Sequence, residues 1–173
     1  SSDTAVITFE DCLVPSGALV GLEGEGFKPV MRQFDAERII LAAGALAMGR
    51  RAMELALDRL RGREQFGQPL SANQGLQHDA VESLAALAAG EALLEQCTAE
   101  YASGEYDAAS VAMLKLVGAR TGFEAVDRAL QLFGGWGYVT DHPIERMWRD
   151  VRLMRIGGGT DEIMMNIASK QFL

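Results

Sequence analysis

The chain has 173 residues, 49% hydrophobic and 23% charged, with 16 Lys and Arg against 24 Asp and Glu for a net charge of −8. That composition excludes a disordered chain, and the acidic balance argues against a nucleic-acid scaffold, because phosphate backbones select basic surfaces. Cys12 and Cys97 lie far apart with no His or Cys at ligand spacing, which excludes a disulfide framework or zinc knuckle and makes a reduced, cytoplasmic setting the expectation.

The chain opens at Ser1 without an initiator methionine and reads as a cut edge, so targeting information is not assessable from it. Residues Thr4 to Glu10 alternate, with Ala5, Ile7 and Phe9 on one face, as a β-strand does. An isolated strand is marginal in water, so this one is expected to close a sheet of an upstream β-domain. Pro15, Gly17, Gly21, Gly24 and Gly26 then mark a linker, giving residues 1–24 as the tail of one domain and 25–173 as the next. From about Phe27 to Leu60 apolar residues recur at helical spacing, a rod of about 50 Å at 1.5 Å per residue. Further helices are predicted from about Asn73 to Ala102, Ala108 to Phe133 and Pro143 to Arg155, where proline suits a first turn. A last helix follows Gly157–Gly158–Gly159, with Thr160 as N-cap and Asp161 and Glu162 in its first turn. Short connectors between long helices give an all-α fold, an up-and-down four-helix bundle with short C-terminal helices, preceded by the one strand. No apolar run is long and uncharged enough to span a bilayer.

Glu37 is the most conspicuous polar residue. Its neighbours on a helix, Phe34, Ile40, Leu41 and Gly44, are apolar or small. A carboxylate buried there would have its pKa raised toward that of a general base, and Gly44 would leave space for a flat or long ligand. The alternative is a carboxylate at the edge of the stripe, reaching water. Arg38, three residues after Asp35, is read as a solvated helix pair or, beside a cleft, as a guanidinium for a phosphate. Arg63–Glu64–Gln65–Phe66–Gly67 with Gln74 is either a polar turn or a set suited to a dinucleotide. Gln131 to Tyr138, rich in glycine, ends the third long helix where a backbone or ligand can approach. Arg146, Arg149, Arg152 and Arg155 recur every three residues, with Glu145 and Asp150 placed to pair, and read as a salt-bridged face. His78 and His142 are isolated and read as capping or surface residues; no metal ligand set or Ser/Cys–His nucleophile can be recognised. The eight methionines are read as core filler or an adaptable lining.

Taken together, these segments resemble the acyl-CoA dehydrogenase family over nearly the entire chain. SSDTAVITFEDCLVP looks like the end of its middle β-domain, FDAERIILAAG like the first long helix of its last domain, and REQFGQPL with Gln74 like its R-x-x-F-G…Q flavin motif. QLFGGWGYVTDHPIERMWRDVRLMRIGGGTDEIM resembles its C-terminal signature. The resemblance implies a homotetrameric (or dimeric) FAD enzyme that oxidises acyl-CoA thioesters to trans-2-enoyl-CoA and passes electrons to an electron-transfer flavoprotein. It implies FAD contacts for Arg63, Phe66 and Gln74 from a neighbouring subunit, for Gln131, Gly134 and Gly135 on the adenosine side, and for Thr160 and Glu162 elsewhere on the cofactor. Asp35, Arg38 and Gly159 would flank the substrate thioester. Many members carry a catalytic glutamate where this chain has Gly158; in the isovaleryl-CoA and long-chain branches the base comes from the first long helix in a D-x-E-R pattern. Here that pattern is Asp35–Ala36–Glu37–Arg38, which makes Glu37 the implied base. A flavin-dependent oxidase or monooxygenase of the same superfamily, or a non-catalytic assembly module, are the alternatives. These residues alone are expected to show little activity.

Overall fold

The computed structural model describes residues 4–173. Five helices carry the fold: α1 (Phe27–Gly62), α2 (Gln74–Ser103), α3 (Ala108–Phe133), α4 (Pro143–Leu153) and α5 (Asp161–Phe172). Their starts are fixed locally. The side chains of Asn73, Asp107, His142 and Thr160 accept backbone N–H groups of Gly75, Ser110, Ile144 and Ile163, so four helices have N-caps. Gly104 ends α2 in the left-handed region at φ 78°.

Small residues set how the long helices meet. Leu87 packs on Gly49 and Gly90 on Leu46, so α2 runs antiparallel to α1; Ala42 meets Gly118 and Ala45 meets Gly122, so α3 runs parallel to it. A Cβ on Gly122 would lie 2.3 Å from the Ala45 carbonyl oxygen, so α1 and α3 touch backbone to backbone. The core between them is alanine-rich (Ala45, Ala52, Ala56, Ala125, Ala129), filled out by Leu46, Met53, Leu60, Leu87 and Val126. Helix α4 returns along α3: His142 lies 4.4 Å from the Phe133 ring and Trp148 6.2 Å from Phe123, centroid to centroid. Helix α5 packs on the first half of α3, tied there by the Asp161–Arg120 pair. The expected bundle is therefore formed, up-down-up with α4 and α5 closing it.

Two features differ from the sequence reading. The alternating segment from Thr4 to Glu10 forms no strand; Val6, Ile7 and Phe9 are exposed and have no ladder partner among the described residues. Period-2 patterning specifies a strand only when a neighbouring strand completes it. Ser1–Asp3, the start of that expected terminal segment, lie outside the described residues. Conversely, the turn after α1 is a small antiparallel hairpin, β1 (Glu64–Gln65) on β2 (Gln68–Pro69). Its two turn residues, Phe66 and Gly67, both have positive φ, at 54° and 79°, the backbone a two-residue hairpin turn prefers.

Candidate active site

The glycine loop between α4 and α5 lies against α1 at residues 37–41 and against the first half of α3. Gly158 and Gly159 both have positive φ, at 66° and 110°, a region side-chain-bearing residues enter only at a cost. Two cations hold the loop's carbonyls. The Arg38 Nε donates to the Gly158 oxygen at 3.1 Å, and the Lys115 Nζ donates to the Gly159 oxygen at 2.5 Å. Arg38 also donates from NH1 to Asp35 Oδ1 at 2.9 Å and stacks over Phe34, 5.7 Å from the ring centroid. Asp35 and Arg38 are 8% and 6% exposed, so the pair is not the solvated one that i,i+3 spacing suggests. Tertiary contact with the loop overrides that local expectation.

Glu37 sits on the same turn, half-buried, with its carboxylate facing the loop. A Cβ built on Gly158 would lie 3.9 Å from Glu37 Oε1 and 2.7 Å from Leu41 Cδ1. The carboxylate and any side chain at position 158 would thus share one hollow. Of the apolar neighbours read from the sequence, Leu41 borders that hollow, whereas Ile40 is 70% exposed. The stripe carrying Glu37 therefore faces outward from the bundle core. Gly44 has nothing within 4 Å of where a Cβ would be, so the helix surface beyond Glu37 is open.

Beneath the loop lies a buried charge cluster. Lys115 is fully buried (0% exposed), and burial pushes its pKa down; Asp161 works against that shift, while Arg38 and Arg155 add to it. Burial opposes ionisation of Asp161, but hydrogen bonds from Arg155 and Arg120 outweigh it and hold the carboxyl below the usual range. Its Oδ2 accepts from Arg120 Nε at 3.0 Å and from Arg155 Nε and NH2 at 3.0 and 2.6 Å, while its buried Oδ1 has no hydrogen-bond partner. Thr160 caps α5, accepting from Ile163 N–H at 3.4 Å. The exposed Glu162 carboxyl is held low by its own backbone N–H and by the Thr160 hydroxyl.

The remaining expected cofactor residues gather at the other end of the bundle. Arg63 caps the C-terminus of α1, Phe66 tips the hairpin with its ring wholly exposed, and exposed Gln74 starts α2. Gln131, Gly134 and Gly135 end α3 at that same end, where Arg59 of α1 lies over the Phe133 ring. Gly134 and Gly135 have open space where side chains would stand. An arginine, an uncovered aromatic ring, two amides and bare backbone suit a dinucleotide: charge for phosphate, a ring for stacking, amides for a base edge. Twenty-six residues of helix separate Glu37 from Arg63, roughly 40 Å at 1.5 Å per residue. One chain therefore presents two distinct sets, Glu37 with the glycine loop, Thr160 and Glu162, and the hairpin with the α3 terminus.

The arginine stripe that begins on α4 is partly structural, as expected: Arg149 pairs with Glu145 at 2.7 Å, but Arg155, in the turn after the helix, reaches Asp161 and packs on Phe123. His142 is a capping histidine, accepting at Nδ1 from Ile144 N–H at 3.3 Å, with its pKa lowered first by burial and then by Arg59; His78 is exposed. Cys12 is exposed and Cys97 buried. No group able to hold a metal ion occurs among the described residues, and no helix there is long and apolar enough to cross a membrane. Lys115 and Arg120 are what sequence reading missed. The signal was present: Val111, Ala112, Gly118 and Ala119 surround Lys115 at i−4, i−3, i+3 and i+4, and all four are buried.

Residues 24–173 match the protein family described as acyl-CoA dehydrogenase, C-terminal domain. The chain is 36% identical over 172 residues to acryloyl-CoA reductase (NADH) of Anaerotignum propionicum, which covers 99% of this chain and 44% of that protein. It is 36% identical over 169 residues to the mitochondrial isobutyryl-CoA dehydrogenase of Dictyostelium discoideum, covering 97% of this chain and 41% of that protein. A solved structure described as the electron transferring flavoprotein of Acidaminococcus fermentans superposes with a TM-score of 0.92 at 35% identity, covering 95% of this chain and 43% of that one. The chain thus spans less than half the length of the curated relatives it matches.

Proposed function

The chain belongs to the acyl-CoA dehydrogenase family as its C-terminal domain, and we propose that it is the helical part of a flavoenzyme converting an acyl-CoA thioester to trans-2-enoyl-CoA, with Glu37 as the base. One observation carries this reading. The Glu37 carboxylate lies 3.9 Å from where a Cβ at position 158 would stand, and position 158 is a glycine. Two alternative sources of one base, on α1 or on the loop, would therefore reach the same α-carbon. That complementarity favours the isovaleryl-like arrangement, while the two relatives named above carry the names of different acyl groups, acryloyl and isobutyryl.

Removal of a weakly acidic α-proton needs a carboxylate shielded from water and held in place. Glu37 accepts that proton at its carboxylate. Leu41 and the glycine loop border the hollow it faces, and Arg38 on the same turn locks the loop to the helix. When bound, FAD supplies the acceptor for the hydride leaving the β-carbon. Arg63, Phe66, Gln74, Gln131, Gly134 and Gly135 would hold its adenosine-diphosphate part, Thr160 and Glu162 another region. The roughly 40 Å between the hairpin and Glu37 exceeds the span of one dinucleotide, which supports each chain serving two flavins in an oligomer, a homotetramer or dimer. Asp35 and Arg38 would contribute to the substrate side indirectly, Arg38 by holding the Gly158 carbonyl and Asp35 by pairing with Arg38, rather than by free charge. Residues 1–24, of which 4–24 are exposed and form no strand, would dock on a preceding domain. An electron-transfer flavoprotein is the proposed electron partner, in keeping with the described neighbour structure.

The test is a panel of acyl-CoAs mixed anaerobically with the full-length flavoprotein. Bleaching of the flavin by straight-chain or branched acyl-CoAs, with slow reaction toward oxygen, is the expected result. Oxygen consumption coupled to turnover would favour an oxidase, and no bleaching by any acyl-CoA would reject the reading.

A further inference from the structure

We propose that Lys115 is a positioning residue for this reaction: its buried ammonium, acting with Arg38, fixes the two consecutive carbonyls of the Gly158–Gly159 loop and so sets the loop's placement against Glu37. The inference rests on the dehydrogenase reading above.

A lysine with no exposed surface, reached by a single hydrogen bond, is costly to retain. Nothing in the chemistry assigned to Glu37 uses it, so its retention asks for a reason. What it touches is not another side chain but a backbone oxygen, that of Gly159, forty-four residues away in sequence. The adjacent oxygen, of Gly158, is held by Arg38 from a different helix. Both glycines have positive φ, a stretch of backbone that is free to adopt many conformations unless something outside it decides. Two cations on two helices decide it.

The geometry then follows from the planarity of the peptide. In a trans peptide the C=O and the following N–H point in opposite directions. With the Gly158 and Gly159 carbonyls drawn inward to Arg38 and Lys115, the N–H groups of Gly159 and Thr160 are turned away from those cations and out of the core. Neither N–H has an acceptor among the described residues. A cation on the carbonyl also polarises the amide and strengthens the N–H as a donor. The α1–α3 approach that brings both cations to one loop is itself tight: Gly118, one turn from Lys115, meets Ala42, one turn from Arg38, with 2.9 Å between a would-be Cβ and the Ala42 Cβ. Among the charges around Lys115 only Asp161 favours the ammonium, while Arg38 and Arg155 oppose it, and Asp161 is itself shared with Arg120 and Arg155.

The experiment uses the full-length flavoprotein with Lys115→Met, which keeps the apolar stem and removes the ammonium. Hydrogen exchange of peptides spanning 156–163 is expected to speed up about tenfold or more, with exchange in the middles of α1 and α3 unchanged. Flavin reduction under anaerobic conditions should slow about tenfold or more, while affinity for a non-reducible acyl-CoA thioether changes by less than about threefold. Where Lys115→Met does not fold, Lys115→Gln, one atom shorter in reach with an uncharged polar end, carries the same readouts. Unchanged loop exchange, or a loosened loop with a reduction rate within about twofold of the parent, would overturn the proposal. If the parent protein is reduced by no acyl-CoA, the dehydrogenase reading fails, and the exchange comparison still decides the clamp.

Discussion

Replacing Gly158 by alanine adds one methyl group at the point where the loop meets α1, and the structure sets its cost. The position has φ 66°, where an L-residue loses roughly 1–2 kcal/mol relative to glycine. The new Cβ would also stand 2.7 Å from Leu41 Cδ1. That atom is the tip of a flexible side chain, so relief by an off-rotamer leucine costs about 0.5–1.5 kcal/mol. Gly158→Ala is therefore expected to destabilise by about 1.5–3.5 kcal/mol. The two contributions separate in a double-mutant cycle. In a Leu41→Ala background the steric part vanishes and Gly158→Ala should cost only the backbone part, about 1–2 kcal/mol. Urea unfolding of the four proteins, followed by far-ultraviolet circular dichroism, reads all four corners. A cost below about 0.5 kcal/mol in the parent would show that position 158 holds no strained left-handed backbone, and no coupling with Leu41 would show that it does not abut that side chain.

Other consequences follow from single residues. The folded-state pKa of His142 is depressed, chiefly by burial and then by Arg59; unfolded chains therefore bind the proton more readily. Its contribution is present above the unfolded value near 6.5 and lost as pH falls through the lower folded value. His142→Asn keeps a side-chain acceptor for Ile144 N–H and should flatten the thermal-stability profile between about pH 5 and 7; an unchanged profile would refute the assignment. Phe66 combines positive φ with a wholly exposed ring. Phe66→Gly should leave unfolding unchanged or raise stability by about 0.5–1 kcal/mol, while flavin retention through gel filtration falls; parallel loss of both would make Phe66 a folding residue instead.

The helices were legible because apolar spacing, glycine stops and Asn, Asp, His and Thr caps agree with one another, so the expected and observed bounds of α1, α2 and α3 coincide within two residues at each end. Thr160 as the cap of α5 was legible for the same reason. The expected strand at Thr4–Glu10 does not form, because alternation records a capacity for pairing and no strand stands beside it among the described residues. The hairpin at 64–69 was hidden by its brevity and by a phenylalanine at a turn position that usually carries Asn, Asp or Gly. For the candidate site, Glu37 and Gly158 were readable as complementary, but the route by which Arg38 and Lys115 reach the loop was not. Both bonds span more than forty residues of sequence, and helical spacing sees only neighbours within one or two turns. Spacing therefore took Asp35–Arg38 for a surface pair and passed over Lys115 altogether.

The measurement that bears most directly on Glu37 is anaerobic flavin reduction by the full-length Glu37→Gln variant at saturating acyl-CoA. Loss of a general base should slow reduction by about 10²–10⁴-fold, with substrate still bound. Adding Gly158→Glu together with Leu41→Ala, which clears the space for the new side chain, should recover about tenfold or more of that loss, since both carboxylates would enter one hollow. Reduction of Glu37→Gln at the parental rate would contradict the assignment of Glu37 as the proton acceptor.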